Sequence, residues 1–108
     1  MDLNKQIKAA NGKDAFLREG VPFTIGELIA TSLIGYEPPG EKNPMLKLKR
    51  DYLAHKIYGA MNDGDGTIEL ADDQIKVVKD AIIAMKWTNG LAVDALMQLD
   101  PGTFDDLD

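Results

Sequence analysis

The sequence predicts an α+β fold, mostly helical, in which an N-terminal extended arm or β-hairpin packs on three to four helices. Two observations lead there. Apolar residues recur at helical spacing in several segments that are separated by proline- and glycine-containing breaks. The first 23 residues instead mix short apolar stretches with turn pairs, Asn11-Gly12 and Glu19-Gly20, between Leu3, Ile7, Ala15-Phe16-Leu17 and Val21-Pro22-Phe23.

Each helix has its own signals. Thr24-Ile25-Gly26-Glu27 has capping-box spacing, in which the Thr hydroxyl accepts from the Glu27 backbone while the carboxylate reaches back. A first helix is expected from Ile25 to about Leu33, burying Leu28, Ile29 and Leu33, with the small residues Ala30, Thr31 and Ser32 permitting close packing. Paired prolines in Gly35-Tyr36-Glu37-Pro38-Pro39-Gly40 end it, because proline fixes φ and removes a donor. Asn43 as cap and Pro44 at the first helical position open a second helix reaching about Met61. Its apolar positions Leu46, Leu53, Ile57 and Met61 share a face, which throws Lys47, Lys49, Arg50 and Lys56 outward. After Asn62-Asp63-Gly64-Asp65-Gly66, Thr67–Leu70 reads as one short strand. Asp72 and Asp73 suit the positive end of a third helix over roughly 72–86, buried through Ile75, Val78, Ile82 and Met85 and widened by Val77 and Ile83, with Trp87 closing the core. Thr88-Asn89-Gly90 breaks the chain before a short fourth helix to about Gln98, carrying Leu91, Val93, Leu96 and Met97. Residues 1–99 are thus expected to form one compact domain, and 100–108 an acidic, mobile tail too polar to nucleate structure alone.

Composition narrows the function classes. The 108 residues contain no cysteine, which removes disulfides, zinc–thiolate sites, iron–sulfur clusters and thiol catalysis together. A net charge of -6 disfavours direct nucleic-acid binding. No apolar run approaches the roughly 20 residues of a membrane span, and Met1-Asp2-Leu3-Asn4-Lys5 lacks the start of a signal peptide. The expectation is a soluble protein. Ser32, the only serine, falls inside a predicted helix, and there is no nucleophile elbow, Walker loop, zincin motif or dinucleotide fingerprint. His55 stands one turn after Asp51, but nothing completes an acid–base site, so no enzyme and no cofactor is expected.

Charge is unevenly distributed. Lys42, Lys47, Lys49, Arg50 and Lys56 oppose Asp51 alone in one stretch, and Asp63, Asp65, Glu69, Asp72 and Asp73 follow at once. The plain reading of this polarity is a solvated helix face and a polar turn, and the sharper one is a steered protein contact. The first candidate surface is Lys47, Lys49 and Arg50 with Tyr52 beside them; the second is the acidic loop of Asp63, Asp65 and Glu69. Tyr36, Tyr52 and Tyr58 tolerate half-exposure, whereas Met45, Met61, Met85 and Met97 read first as core. The tail reads first as a solubilising terminus, and alternatively, through Phe104 and Leu107 among aspartates, as a short docking motif.

Asp63-Gly64-Asp65-Gly66-Thr67-Ile68 between two helices resembles the middle of an EF-hand calcium loop. With Gly66 at the sixth position, Asp63, Asp65, Thr67, Glu69 and Asp72 take positions three, five, seven, nine and twelve. Met61 then stands first, without an oxygen ligand, and Asp72 is short for the usual bidentate glutamate. The loop over 61–72 reads as degenerate, and no metal site is assigned.

Three stretches, Thr24-Ile25-Gly26-Glu27, Lys47-Leu48-Lys49-Arg50-Asp51-Tyr52-Leu53-Ala54-His55-Lys56-Ile57-Tyr58 and Ile68-Glu69-Leu70-Ala71-Asp72-Asp73-Gln74-Ile75-Lys76, resemble a group of short tailed-phage and prophage proteins, over about residues 3–98. Ala71 departs from the Ser or Thr that often caps the third helix in that group, and the Asp63–Gly66 loop is longer. The resemblance implies a phage origin and assigns no site residue. The group supplies no function to carry over; given a phage origin, a small acidic soluble domain without a chemical motif is most simply a non-enzymatic accessory protein that binds a host or phage protein as an inhibitor, adaptor or assembly factor, in the bacterial cytoplasm or on the virion. The alternatives are a calcium-responsive module built on the 61–72 loop and a small-ligand-sequestering homo-oligomer.

Overall fold

In the computed structural model, which describes residues 1–107, the first helix, α1 (Ile25–Gly35), is the axis on which the other three α-helices pack. Glu27 is its only charged residue. Ile25, Leu28, Ile29, Ala30 and Leu33 are all fully buried, as expected of a helix apolar on most of its circumference. Around it lie α2 (Pro44–Asn62), α3 (Asp72–Ala84) and α4 (Leu91–Leu99). A two-stranded antiparallel hairpin, β1 (Phe16–Arg18) and β2 (Val21–Pro22), precedes them, and a 3₁₀ helix (Pro101–Leu107) follows. The fold is α+β and mostly helical. Among the described residues no helix is long and apolar enough to cross a membrane.

The caps work much as the residue types dictate. Thr24 Oγ1 accepts from the Glu27 amide at 3.2 Å, and Asn43 Oδ1 accepts from the Met45 amide at 3.0 Å. The reciprocal half of the α1 box is absent, because Glu27 Oε1 accepts instead from the Tyr58 hydroxyl at 3.3 Å. At α3 the reverse holds. Ala71 has no side-chain acceptor, and Gln74 Oε1 takes the Ala71 amide at 2.9 Å.

The N-terminal arm joins distant parts of the chain. Leu3 and Ile7 are fully buried. The Leu3 amide donates to Gly66 O at 2.7 Å, the Gly26 amide to Leu3 O at 2.8 Å, and the Ala10 amide to Asn89 O at 2.9 Å. Single antiparallel pairings join Asp2 to Thr67, Gln6 to Thr24 and Lys8 to Asp14. Gly26 permits the crossing, since a Cβ there would lie 2.4 Å from Met61 Sδ and 3.0 Å from Leu3 O. The predicted strand at Thr67–Leu70 is reduced to the one pairing with Asp2, because its only neighbour is this short arm.

Three further expectations are corrected. Val77 and Ile83 do not widen the buried stripe of α3, and Val93 and Met97 do not face the core from α4; all four are exposed. Core contact there comes from Val78, Ala81 and Ile82 and from Ala95, Leu96 and Leu99. The segment after Leu99 has structure of its own. Thr103 Oγ1 donates to Asp100 O at 2.7 Å, Lys79 Nζ reaches Asp100 Oδ2 at 3.0 Å, and half-buried Phe104 packs against the core. An apolar anchor and local side-chain bonds offset the polarity of the neighbouring aspartates. Asp108 lies outside the described residues.

Trp87 closes the core as expected. Its Nε1 donates to Ser32 Oγ at 2.9 Å, Ser32 donates onward to Leu28 O at 2.7 Å, and the indole meets Phe23 edge to face at 5.5 Å. The one serine is therefore a fully buried structural residue.

Candidate protein-docking groove

α2 presents two different flanks to its surroundings. On one, Arg50 turns inward, contrary to the outward basic face predicted for it, and is only 6% exposed. Its Nη1 and Nη2 donate to Glu41 Oε1 and Oε2 at 2.8 and 2.6 Å, Nη2 also approaches Tyr36 O at 3.3 Å, and the guanidinium carbon lies 5.0 Å from the centre of the Tyr36 ring. This two-pronged charge-assisted pairing holds the Pro38-Pro39 loop against the helix. The hydrogen bond from Arg50 holds the Glu41 carboxyl below its ordinary range. Arg50 Nε is buried without a hydrogen-bond partner. Lys47 is also engaged: its Nζ lies 3.1 Å from Asp51 Oδ1 and donates to Ile34 O. Asp51 thus pairs with Lys47, and not with exposed His55.

The other flank is open. α2 and α3 both pack on α1 with little direct contact between them, and the gap is a groove of about 350 Å³. Leu53 and the Glu41-paired Arg50 form its buried floor, Leu46, Tyr52 and Val77 its exposed apolar walls, Lys49 and Lys56 its α2 rim, and Asp73 and Gln74 its α3 rim. Lys56 Nζ lies 6.0 Å from the Tyr52 ring centre. Neither Lys49 nor Lys56 has a carboxylate within ion-pair distance among the described residues.

The apolar wall continues outward. Met45, Leu48 and Tyr52, spaced i, i+3 and i+7, share one face of α2 and are 52%, 57% and 58% exposed. The sequence reading placed Met45 in the core and did not single out Leu46, Leu48, Val77 or Lys56 as surface contacts. Of the four residues predicted for the basic surface, Lys49 and Tyr52 reach this groove as exposed groups, Arg50 lines it as a buried group paired to Glu41, and Lys47 is held by Asp51 and Ile34 O. The missed signal was an apolar set on α2 wider than one buried stripe requires.

The acidic loop has another arrangement. Asp63 caps α2 through its backbone, donating to Gly59 O. Asp65 Oδ1 accepts from the Thr67 amide at 3.0 Å and from Thr67 Oγ1 at 2.7 Å, and these bonds, the hydroxyl's first, lower its carboxyl pKa. Gly66 adopts φ +80°, with Asn4 close against it. Glu69 is exposed. Among the described residues no three histidine, aspartate or glutamate side chains converge to hold a metal. The loop geometry is accounted for by its ties to the N-terminal arm.

No protein-family model, curated protein or solved structure matches the chain.

Proposed function

We propose that this chain is a non-enzymatic accessory protein that acts by binding another protein, of phage or host origin, through the α2–α3 groove and the adjoining face of α2. The observation that carries the reading is the continuous exposed apolar surface of Met45, Leu46, Leu48, Tyr52 and Val77 over a buried Leu53 floor. Monomeric proteins seldom leave such a patch uncovered, and a concave apolar strip with a polar rim is how amphipathic helices are received. The phage association rests on the resemblance of residues 3–98. Inhibitor, adaptor and assembly factor are all forms that binding of this kind takes.

The test is affinity capture from a bacterial lysate with the full chain and a Leu46→Asp/Val77→Asp variant, quantified by mass spectrometry. Both positions are exposed, so the variant is expected to keep its melting temperature. A stoichiometric protein held by the parent and lost by the variant supports the reading. Capture of the same proteins by both overturns it.

A further inference from the structure

We infer that the groove is selective for an amphipathic helix whose flank against α2 is acidic, an inference that rests on the docking reading above. The groove follows α2 from Leu46 to Lys56, about 15 Å of helix rise, which accommodates roughly three turns of a docked helix. Its α2 rim carries two exposed cations, Lys49 and Lys56, neither engaged in an ion pair among the described residues, whereas Arg50 in the floor is already neutralised by Glu41. They are seven residues apart, two turns or about 10 Å along the axis. A helix lying alongside α2 therefore meets both with carboxylates at its own i and i+7 positions. The opposite rim carries Asp73, in the first turn of α3, which repels an acidic flank and fixes which side of the incoming helix faces α2.

The same charges argue against a symmetric pairing of two copies through this face. The one carboxylate on α2, Asp51, is held by Lys47 within its own chain, so α2 against α2 brings lysine to lysine and leaves Asp73 on the α3 rim as the one carboxylate of the groove's lining to offset them. A nucleic acid meets the two lysines but leaves Met45, Leu48 and Tyr52 without an apolar partner, and the chain's net charge of -6 repels it.

The experiment measures fluorescence anisotropy of two labelled helical peptides of about 18 residues, with leucines at i, i+3 and i+7 and either glutamates or lysines on the flank at i and i+7. The glutamate peptide is expected to bind the full chain about tenfold more tightly than the lysine peptide, the scale of two exposed ion pairs, with the gap closing in about 0.5 M salt. Lys49→Glu/Lys56→Glu is expected to reverse the preference, and Lys49→Gln/Lys56→Gln to abolish it. Equal binding of both peptides, lost in Leu46→Asp/Val77→Asp, overturns the charge selectivity and leaves the groove reading standing. Failure of both peptides to bind, or binding that ignores Leu46→Asp/Val77→Asp, overturns the selectivity inference. A self-association that Lys49→Glu/Lys56→Glu dissolves, seen by sedimentation without peptide, also overturns it, since the occupant is then a second copy of this chain.

Discussion

The two flanks of α2 both carry basic side chains and use them in opposite ways. On one flank, Arg50 finds a carboxylate and a ring face in the 36–43 loop, and Lys47 finds Asp51 of its own helix and the Ile34 carbonyl of α1. Toward α3, Lys49 and Lys56 find no ion-pair partner among the described residues, and Leu46, Tyr52 and Val77 remain exposed around a groove. The difference is one of chain path. The α1–α2 connection doubles back along α2, with Gly40 in the left-handed region at φ +79° and Glu41 aimed at Arg50. The α2–α3 connection instead leaves from the end of α2 and is fastened to the N-terminal arm through Gly66, Thr67 and Ile68, so it does not fold over the gap. A cation on a helix surface thus becomes structural or available according to where the adjacent loop returns.

Four measurements break or sharpen this contrast. The largest effect belongs to the sealed interior: Ile57→Ala removes a fully buried side chain and is expected to cost about 2–5 kcal/mol of unfolding free energy in a urea titration. Val77→Ala in the groove is expected to change stability by no more than about 0.5 kcal/mol. Equal losses at the two positions would mean that the groove is closed in solution.

The clamp and the free cation come next. Arg50→Ala leaves Glu41 without its bidentate donor and is expected to lower the melting temperature on the order of 10 °C, whereas Lys49→Ala leaves it nearly unchanged. Loss of partner binding should follow the opposite order in fold-matched conditions.

Acid provides a third comparison. Because Arg50 lowers the folded-state pKa of Glu41 below its ordinary value of 4.5, this pair contributes fully above that value and its contribution is lost as pH falls through the lower folded-state pKa. Parent and Glu41→Gln proteins are therefore expected to differ in melting temperature at neutral pH and to converge in strong acid. A constant difference at every pH would remove the pair from the stability of that flank.

The smallest expected effect is on the 61–72 loop. Asp65 is committed to Thr67 and Met61 supplies no oxygen, so melts in millimolar calcium and in chelator are expected to coincide. A calcium-dependent rise would return the loop to consideration as an ion-responsive element.

Much of the helix pattern was legible because it is written locally. Thr24 and Asn43 carry cap oxygens, Pro44 takes a position that lacks a helical donor, and the Pro38-Pro39 pair stops α1, all within a few residues of the boundary each controls. Trp87 as a core closure was also legible from its size and apolarity, although its bond to Ser32 was not. The site was only half legible. Lys49 and Tyr52 could be read as surface groups from helical periodicity, but the same periodicity sent Arg50 outward and Met45 and Val77 inward.

What the sequence determined by itself, then, is where helices start and stop and that α1 must be buried, since capping, proline geometry and a nearly uncharged 11-residue segment act through neighbours in the chain. Tertiary structure alone decided that Leu3 would cross at Gly26, that Glu41 would meet Arg50 across nine positions, and that α2 and α3 would stand apart on α1. Those outcomes depend on which distant groups are brought within hydrogen-bonding or packing distance. Helical periodicity gives the angle of a side chain about its own axis, and only the return path of the rest of the chain gives what stands there to meet it.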